Sequence, residues 1–129
     1  MICKLAPIAV CVALVGCGPS AAPRYELSGA VTYAGKPVPA GSIIFKPDHA
    51  KDNRGPGAQV GIEAGRYQLP ESRGTIGGPH VVTISGFDGV PIKNGPSVNY
   101  FGKPLFANYE VKVDLPREKS ERNFDVPAR

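Results

Sequence analysis

The chain has 129 residues, of which 15 are lysine or arginine and 11 are aspartate or glutamate, so its formal net charge is only +4 at pH 7. This length fits a single domain, and so small a positive charge argues against a nucleic-acid-binding protein. Of its three cysteines, Cys3 and Cys11 lie in an apolar N-terminal segment. A domain that follows this segment has no cysteine pair for a disulfide, so its stability must rest on a hydrophobic core.

The N-terminus has the layout of an export signal. Lys4 precedes an apolar run from Leu5 to Val15, which is shorter than the roughly 20 residues that a membrane-spanning helix needs. The run closes in Leu14-Val15-Gly16-Cys17, and this segment resembles the lipobox of bacterial lipoproteins. The resemblance implies that residues 1–16 are a signal peptide and that Cys17 carries a diacylglyceryl thioether and a further acyl chain such as palmitate.

The lipobox resemblance also implies where the protein works. Lipid on Cys17 would anchor it to a membrane of the cell envelope, on the exported side. Residues 17–23 then form a short linker that spans at most about 20 Å and holds the domain of residues 24–129 near the membrane surface. The sequence leaves open which membrane receives the anchor. The alternative is an ordinary secretory signal that is cut after Ser20-Ala21-Ala22.

From Arg24 onward, apolar and polar residues alternate with a period of two, and no helical period is sustained. The alternation predicts seven short strands separated by turns rich in glycine and proline. The connections are too short for crossover helices, so we expect an all-β fold, a single seven-stranded antiparallel β-sandwich. The residues expected to face its core are Tyr25, Leu27, Val31, Tyr33, Ile43, Phe45, Val60, Ile62, Tyr67, Leu69, Val82, Ile84, Tyr109, Val111, Val113, Leu115, Phe124 and Val126.

Several strand motifs follow one another in a recognisable order. They are Gly29-Ala-Val-Thr-Tyr33, Gly35-Lys-Pro-Val-Pro39, Gly41-Ser-Ile-Ile-Phe45, Gly65-Arg-Tyr-Gln-Leu69 and Gly78-Pro-His-Val-Val-Thr-Ile-Ser85. Together they resemble the carboxypeptidase regulatory-like domains of the transthyretin-like family, especially small bacterial lipoproteins built from one such domain. The resemblance covers residues 26–126 and implies a transthyretin-like or immunoglobulin-like sandwich that binds protein or carbohydrate. The last motif departs from the family pattern, because its glycine precedes the proline and an aromatic residue is missing.

Catalysis or metal binding in this domain would have to use His49 or His80. His80 shares the strand parity of Val82, so we expect it at a strand end beside the core. Neither histidine begins a His-x-x-Glu zinc motif, and the chain has no Gly-x-Ser-x-Gly nucleophile turn. The sequence therefore predicts a protein that is not an enzyme and that uses no cofactor and no metal.

The alternative function centres on the polar loop from Asp48 to Asn53. Asp48, His49, Asp52 and Asn53 offer oxygen and nitrogen donors. Their spacing matches no strong metal motif, and Lys51 lies among them. A small-molecule or cation-binding site at this loop, with or without catalysis, is the competing hypothesis.

The connection from Phe87 to Phe106 is the segment most suited to contact a partner. Connections of this length in small domains tend to be functional or disordered, and its aromatic content argues against disorder. Two interpretations remain open: the aromatic residues cap the open end of the sandwich, or they form an exposed recognition surface flanked by lysines. The candidate contacts are Tyr100, Phe101, Lys103 and Phe106.

The sequence as a whole predicts a non-enzymatic envelope lipoprotein whose sandwich is an interaction or assembly module. Its expected partners are the membrane, through the lipid on Cys17, and an envelope protein or carbohydrate. The identity of that partner is left open. The oligomeric state is also open, although an exposed edge strand would allow dimers.

Overall fold

The computed structural model describes residues 23–128, so the export signal and Cys17 lie outside the described residues. Within this range the regular structure is almost entirely strand, with two short 3₁₀ turns, His49–Lys51 and Glu71–Arg73, and no α-helix. The strands are β1 (Leu27–Tyr33), β2 (Lys36–Pro37), β3 (Ala40–Pro47), β4 (Ala58–Glu63), β5 (Arg66–Leu69), β6 (Gly78–Phe87), β7 (Ile92–Asn94), β8 (Ser97–Asn99), β9 (Pro104–Leu115), β10 (Ser120–Glu121) and β11 (Phe124–Val126).

Nine of the strands form one curled sheet whose two halves face each other. Strands β4, β3, β6 and β9 make up one half in that order, while β5, β1, β2, β10 and β11 make up the other. The halves are joined by the β4–β5 hairpin, whose strands pair only at Glu63 and Arg66. Because β4 and β5 then diverge, the sheet folds over itself and encloses a core. The predicted all-β sandwich is confirmed.

The core lies between the two halves and contains most of the side chains that the alternation selects. Of the others, Tyr33, Val60, Tyr109 and Val111 are partly buried and pack against it, and Tyr25 is half-buried outside it. Phe45 of β3 packs against Tyr67 of β5 and Phe124 of β11, with ring centroids 6.0 and 6.2 Å apart. These aromatic contacts cross from one half of the sheet to the other. The buried apolar cluster is Leu27, Val31, Val38, Ile43, Phe45, Ile62, Tyr67, Leu69, Val82, Ile84, Val113, Leu115, Phe124 and Val126. All of these residues except Val38 were expected at the core.

The structure adds detail that the alternation does not contain. Strands β2, β7, β8 and β10 are two or three residues long and supplement the seven predicted strands. Strands β10 and β11 pair with β1 in parallel, in an otherwise antiparallel sheet. Val38 is fully buried although it lies between Pro37 and Pro39, in the crossing from β2 to β3. Its backbone N–H donates to the carbonyl of Val31, which draws the crossing onto the core.

Two tight turns set the register of the sheet. Ala34-Gly35 and Ala64-Gly65 both have positive φ at each of their two residues, as a type I′ hairpin turn requires. The first connects β1 to β2 and the second connects β4 to β5. Gly35, the first residue of the Gly35–Pro39 motif, therefore lies in a turn in which Ala34 shares its left-handed conformation.

Candidate functional site

The long connection between β6 and β9 has regular structure of its own. We call residues 88–103 the aromatic loop. It contains the hairpin of β7 and β8, in which Ile92 pairs with Asn99 and Asn94 pairs with Ser97. Its backbone is thus hydrogen-bonded to itself rather than to either half of the main sheet.

Asp88 fixes the two ends of the aromatic loop to each other. Its Oδ1 accepts hydrogen bonds from the backbone N–H of Val90 at 2.9 Å and of Lys103 at 3.1 Å. Its own backbone N–H donates to the carbonyl of Lys103, and Gly89 N–H donates to the carbonyl of Phe101. Gly102 lies against Asp88 with φ +86°, and a Cβ at Gly102 would overlap the Asp88 carboxylate. These contacts hold the loop in a defined shape.

The structure divides the four candidate contact residues into two groups. Phe106 is half-buried and packs on Tyr33, with ring centroids 5.0 Å apart, in space left by Gly86. Tyr100 and Phe101, by contrast, are 72% and 55% exposed. Phe106 therefore closes the core, while Tyr100 and Phe101 face solvent together with the exposed Lys103.

Phe101 is held against Phe87, the last residue of β6, with ring centroids 5.6 Å apart. Asn99 Oδ1 accepts a hydrogen bond from the Phe101 N–H at 3.0 Å, which fixes the backbone beside the ring. An exposed aromatic ring held in this way loses little conformational freedom when it contacts a partner.

A groove of about 620 Å³ opens beside this aromatic pair. It lies where β4 and β5 diverge, and Gly41 and Gly61 form part of its lining. We call it the aromatic groove. Its lining residues are Gly41, Ser42, Gln59, Val60, Gly61, Leu69, Pro70, Arg73, Phe87 and Phe101.

The lining of the aromatic groove combines apolar contact area with hydrogen-bonding groups. Two aromatic rings and several apolar side chains provide contact area, and Ser42, Gln59 and Arg73 provide hydrogen-bonding groups. Arg73 is the single charged residue in the described lining, so the groove favours neutral or anionic ligands. Sequence reasoning did not select Phe87 or Arg73 as site residues, because nothing in the local pattern places them beside Phe101.

The Asp48–Asn53 loop uses its polar side chains to hold the backbone. Asp48 Oδ1 accepts from the N–H of Ala50 and so caps the 3₁₀ turn, while Asn53 Nδ2 donates to the carbonyls of Gly77 and Pro79 at 3.0 and 2.6 Å. Asp48 and Asn53 are buried, whereas His49 is exposed. Among residues 23–128, no three His, Cys, Asp or Glu side chains are grouped closely enough to hold a metal ion.

His80 lies within β6, opposite Val113 of β9, and is 1% exposed. Its Nδ1 is 2.8 Å from the carbonyl of Gly78, which makes Nδ1 the protonated nitrogen. Its Nε2 has no hydrogen-bond partner in the described structure. The side chain is therefore part of the interior, beside the core as expected from its strand parity.

No helix in the part of the chain that the structure describes is long and apolar enough to cross a membrane. Comparison of the sequence and structure with family models, curated proteins and solved structures finds no match.

Proposed function

We propose that this chain is a bacterial envelope lipoprotein whose β-sandwich binds an envelope component at the aromatic loop and the aromatic groove. We further propose that the domain is of the carboxypeptidase regulatory-like kind. The observation that carries the proposal is the contact between Phe87 and Phe101, which holds an exposed ring beside a groove. Exposed aromatic residues on a fixed backbone are typical of interaction surfaces.

The groove chemistry supports a binding role rather than a catalytic one. None of its described lining residues is a His, Cys, Asp or Glu, the side chains that most often supply general acids, bases or nucleophiles. Catalysis by these means would need groups from elsewhere in the structure. His49 lies on a different loop, and His80 is enclosed in the interior.

The class of partner follows from the same residues. Phe101 and Tyr100 present faces suited to stacking on a sugar ring or on an apolar side chain, and Arg73 offers a planar set of hydrogen-bond donors. Lys93 and Lys103 are exposed on the aromatic loop and add positive charge. A carbohydrate or a protein segment of neutral or acidic character fits this surface.

Photocrosslinking in intact cells tests the proposed surface. A photoreactive phenylalanine analogue replaces Phe101 in one strain and Ile44 in a control strain. Ile44 is a matched control because it is 44% exposed and does not line the groove. We expect one recurrent adduct from position 101, whose mass identifies it as protein or glycan. Equal adducts at both positions, or none at position 101, would refute the proposal that the aromatic loop and the aromatic groove bind a partner.

The lipid anchor has its own test, which is the intact mass of the protein extracted from its membranes. We expect a chain that begins at Cys17 and carries acyl chains, and a Cys17→Ser variant without them. An unmodified chain that begins near Pro23 would instead indicate a freely secreted sandwich.

A further inference from the structure

Strand β9 leaves one backbone edge open. It pairs with β6 on one side, and no strand within residues 23–128 pairs with its other side. Asp48 N–H donates to the carbonyl of Pro79, so the backbone groups of Pro79 point toward β3. Backbone groups of successive strand residues point alternately to the two neighbouring strands. In this part of β6, the backbone groups of odd-numbered residues therefore point to β3 and those of even-numbered residues point to β9. In the β6–β9 register, the backbone groups of Tyr109, Val111 and Val113 then face β6. Those of Glu110, Lys112 and Asp114 face the open edge.

The side chains along this edge alternate in charge. Glu110, Lys112 and Asp114 are exposed on the outer face of the sheet. An antiparallel copy of β9 centred on Val111 places each Glu110 opposite the partner subunit's Lys112. A copy centred on Lys112 would place like charges opposite each other, which disfavours that register.

A register centred on Val113 also pairs opposite charges, Lys112 with Asp114. Two features of the strand disfavour it. It would place Pro116, which lacks an N–H, opposite Glu110. It would also be centred on apolar side chains that are already buried in the subunit, since Val113 and Leu115 are 8% and 3% exposed. Tyr109 and Val111 are only half-buried, so they lose solvent exposure when the pairing is centred on Val111.

We propose that β9 is a self-association edge and that its occupant is β9 of a second copy of this chain, antiparallel and centred on Val111. Glu110 and the partner subunit's Lys112 then exchange backbone hydrogen bonds and pair their charges, twice across the two-fold axis. Asn108, with φ 53°, and the adjacent register shift end the regular stretch on one side. The contact is short, so we expect a reversible dimer.

Charge-reversal variants test the pairing in solution. Residues 23–129 contain the whole described core and no cysteine, and their self-association is measured by sedimentation at rising concentration. Glu110→Lys and Lys112→Glu each place like charges opposite one another and should weaken self-association by about tenfold or more. Mixed in equal amounts, the two variants are complementary and should associate as tightly as the wild type. A monomeric wild-type domain, or variants that fail to associate on mixing, would overturn the proposal.

Single-cysteine variants test the register. Val111→Cys meets its own copy across the two-fold axis and should form a disulfide-linked dimer under mild oxidation. Val113→Cys, the matched control two residues away, should not. A disulfide at position 113 in place of 111 would overturn the register. None of Tyr109, Glu110, Val111, Lys112 and Val113 lines the aromatic groove, so loss of the dimer and loss of partner capture at Phe101 are independent results.

Discussion

Phe87 and Phe101 pack against each other with their rings tilted by 47°, although Phe87 ends a strand of the sandwich and Phe101 lies near the far end of the long connection. Asp88 makes this contact possible, because its carboxylate and backbone hold both ends of the aromatic loop. Phe87, at the end of a sheet strand, therefore positions the exposed ring of Phe101.

Removal of the Asp88 carboxylate should loosen the aromatic loop without unfolding the sandwich. In Asp88→Ala, the N–H groups of Val90 and Lys103 lose their acceptor, so their hydrogen exchange should accelerate while core amides stay protected. Asp88→Asn keeps an acceptor oxygen and should change exchange much less. Unchanged protection of both amides in Asp88→Ala would show that other contacts hold the loop.

Tyr67 should make stability fall at alkaline pH. Burial raises the pKa of its hydroxyl well above the ordinary value, and nearby Arg122 offsets part of that rise. The stability it contributes is therefore complete below the ordinary tyrosine pKa of about 10 and is lost as pH rises further, because the unfolded chain ionises first. Urea unfolding of the wild type and Tyr67→Phe across this range measures the effect. The difference in unfolding free energy should shrink with pH, and a constant difference would contradict the expectation.

Tyr67→Phe should also cost stability near neutral pH, because the hydroxyl donates to the carbonyl of Arg122 at 2.5 Å. We expect a loss of about 1 kcal/mol. This bond ties β5 to the segment between β10 and β11, so the loss should appear in global unfolding.

Asn53 should contribute to stability rather than to ligand binding. Asn53→Ala removes hydrogen bonds to the carbonyls of Gly77 and Pro79, of which Gly77 O is enclosed. We expect the free energy of unfolding, measured with urea, to fall by about 2 kcal/mol, with little change in its dependence on urea concentration. Lys51→Ala, an exposed change in the same loop, should be nearly neutral. A stable Asn53→Ala protein that had lost affinity for a cation would instead favour the competing hypothesis.

The turn at Ala34-Gly35 should accept a stabilising change. Ala34 has φ 52°, a conformation that costs an alanine about 1 kcal/mol and that asparagine tolerates better. Ala34→Asn should therefore raise the thermal midpoint, whereas the β-branched Ala34→Val should lower it. Ala34 is exposed, so no core contact changes in either variant. Equal midpoints in the two variants would contradict this explanation.

The strand alternation was sufficient to predict the sandwich and almost all of its core. Ile43 and Phe45, or Val82 and Ile84, lie two positions apart on a strand, so their shared face follows from local backbone geometry alone. The same reasoning placed His80 beside the core. Partners distant in sequence follow no such rule, and neither the parallel pairing of β11 with β1 nor the burial of Val38 was predicted.

The sequence by itself determined the strand faces and the single long connection, because both depend on neighbours within a few residues. Only the tertiary structure decided which aromatic residues of that connection face solvent. Phe101 and Phe106 are equally apolar, but Gly86 leaves room for Phe106 on the core and Asp88 holds the segment of Phe101 outside it. Likewise, the charges of Glu110 and Lys112 line an open edge only because β9 is the last strand of its half of the sheet.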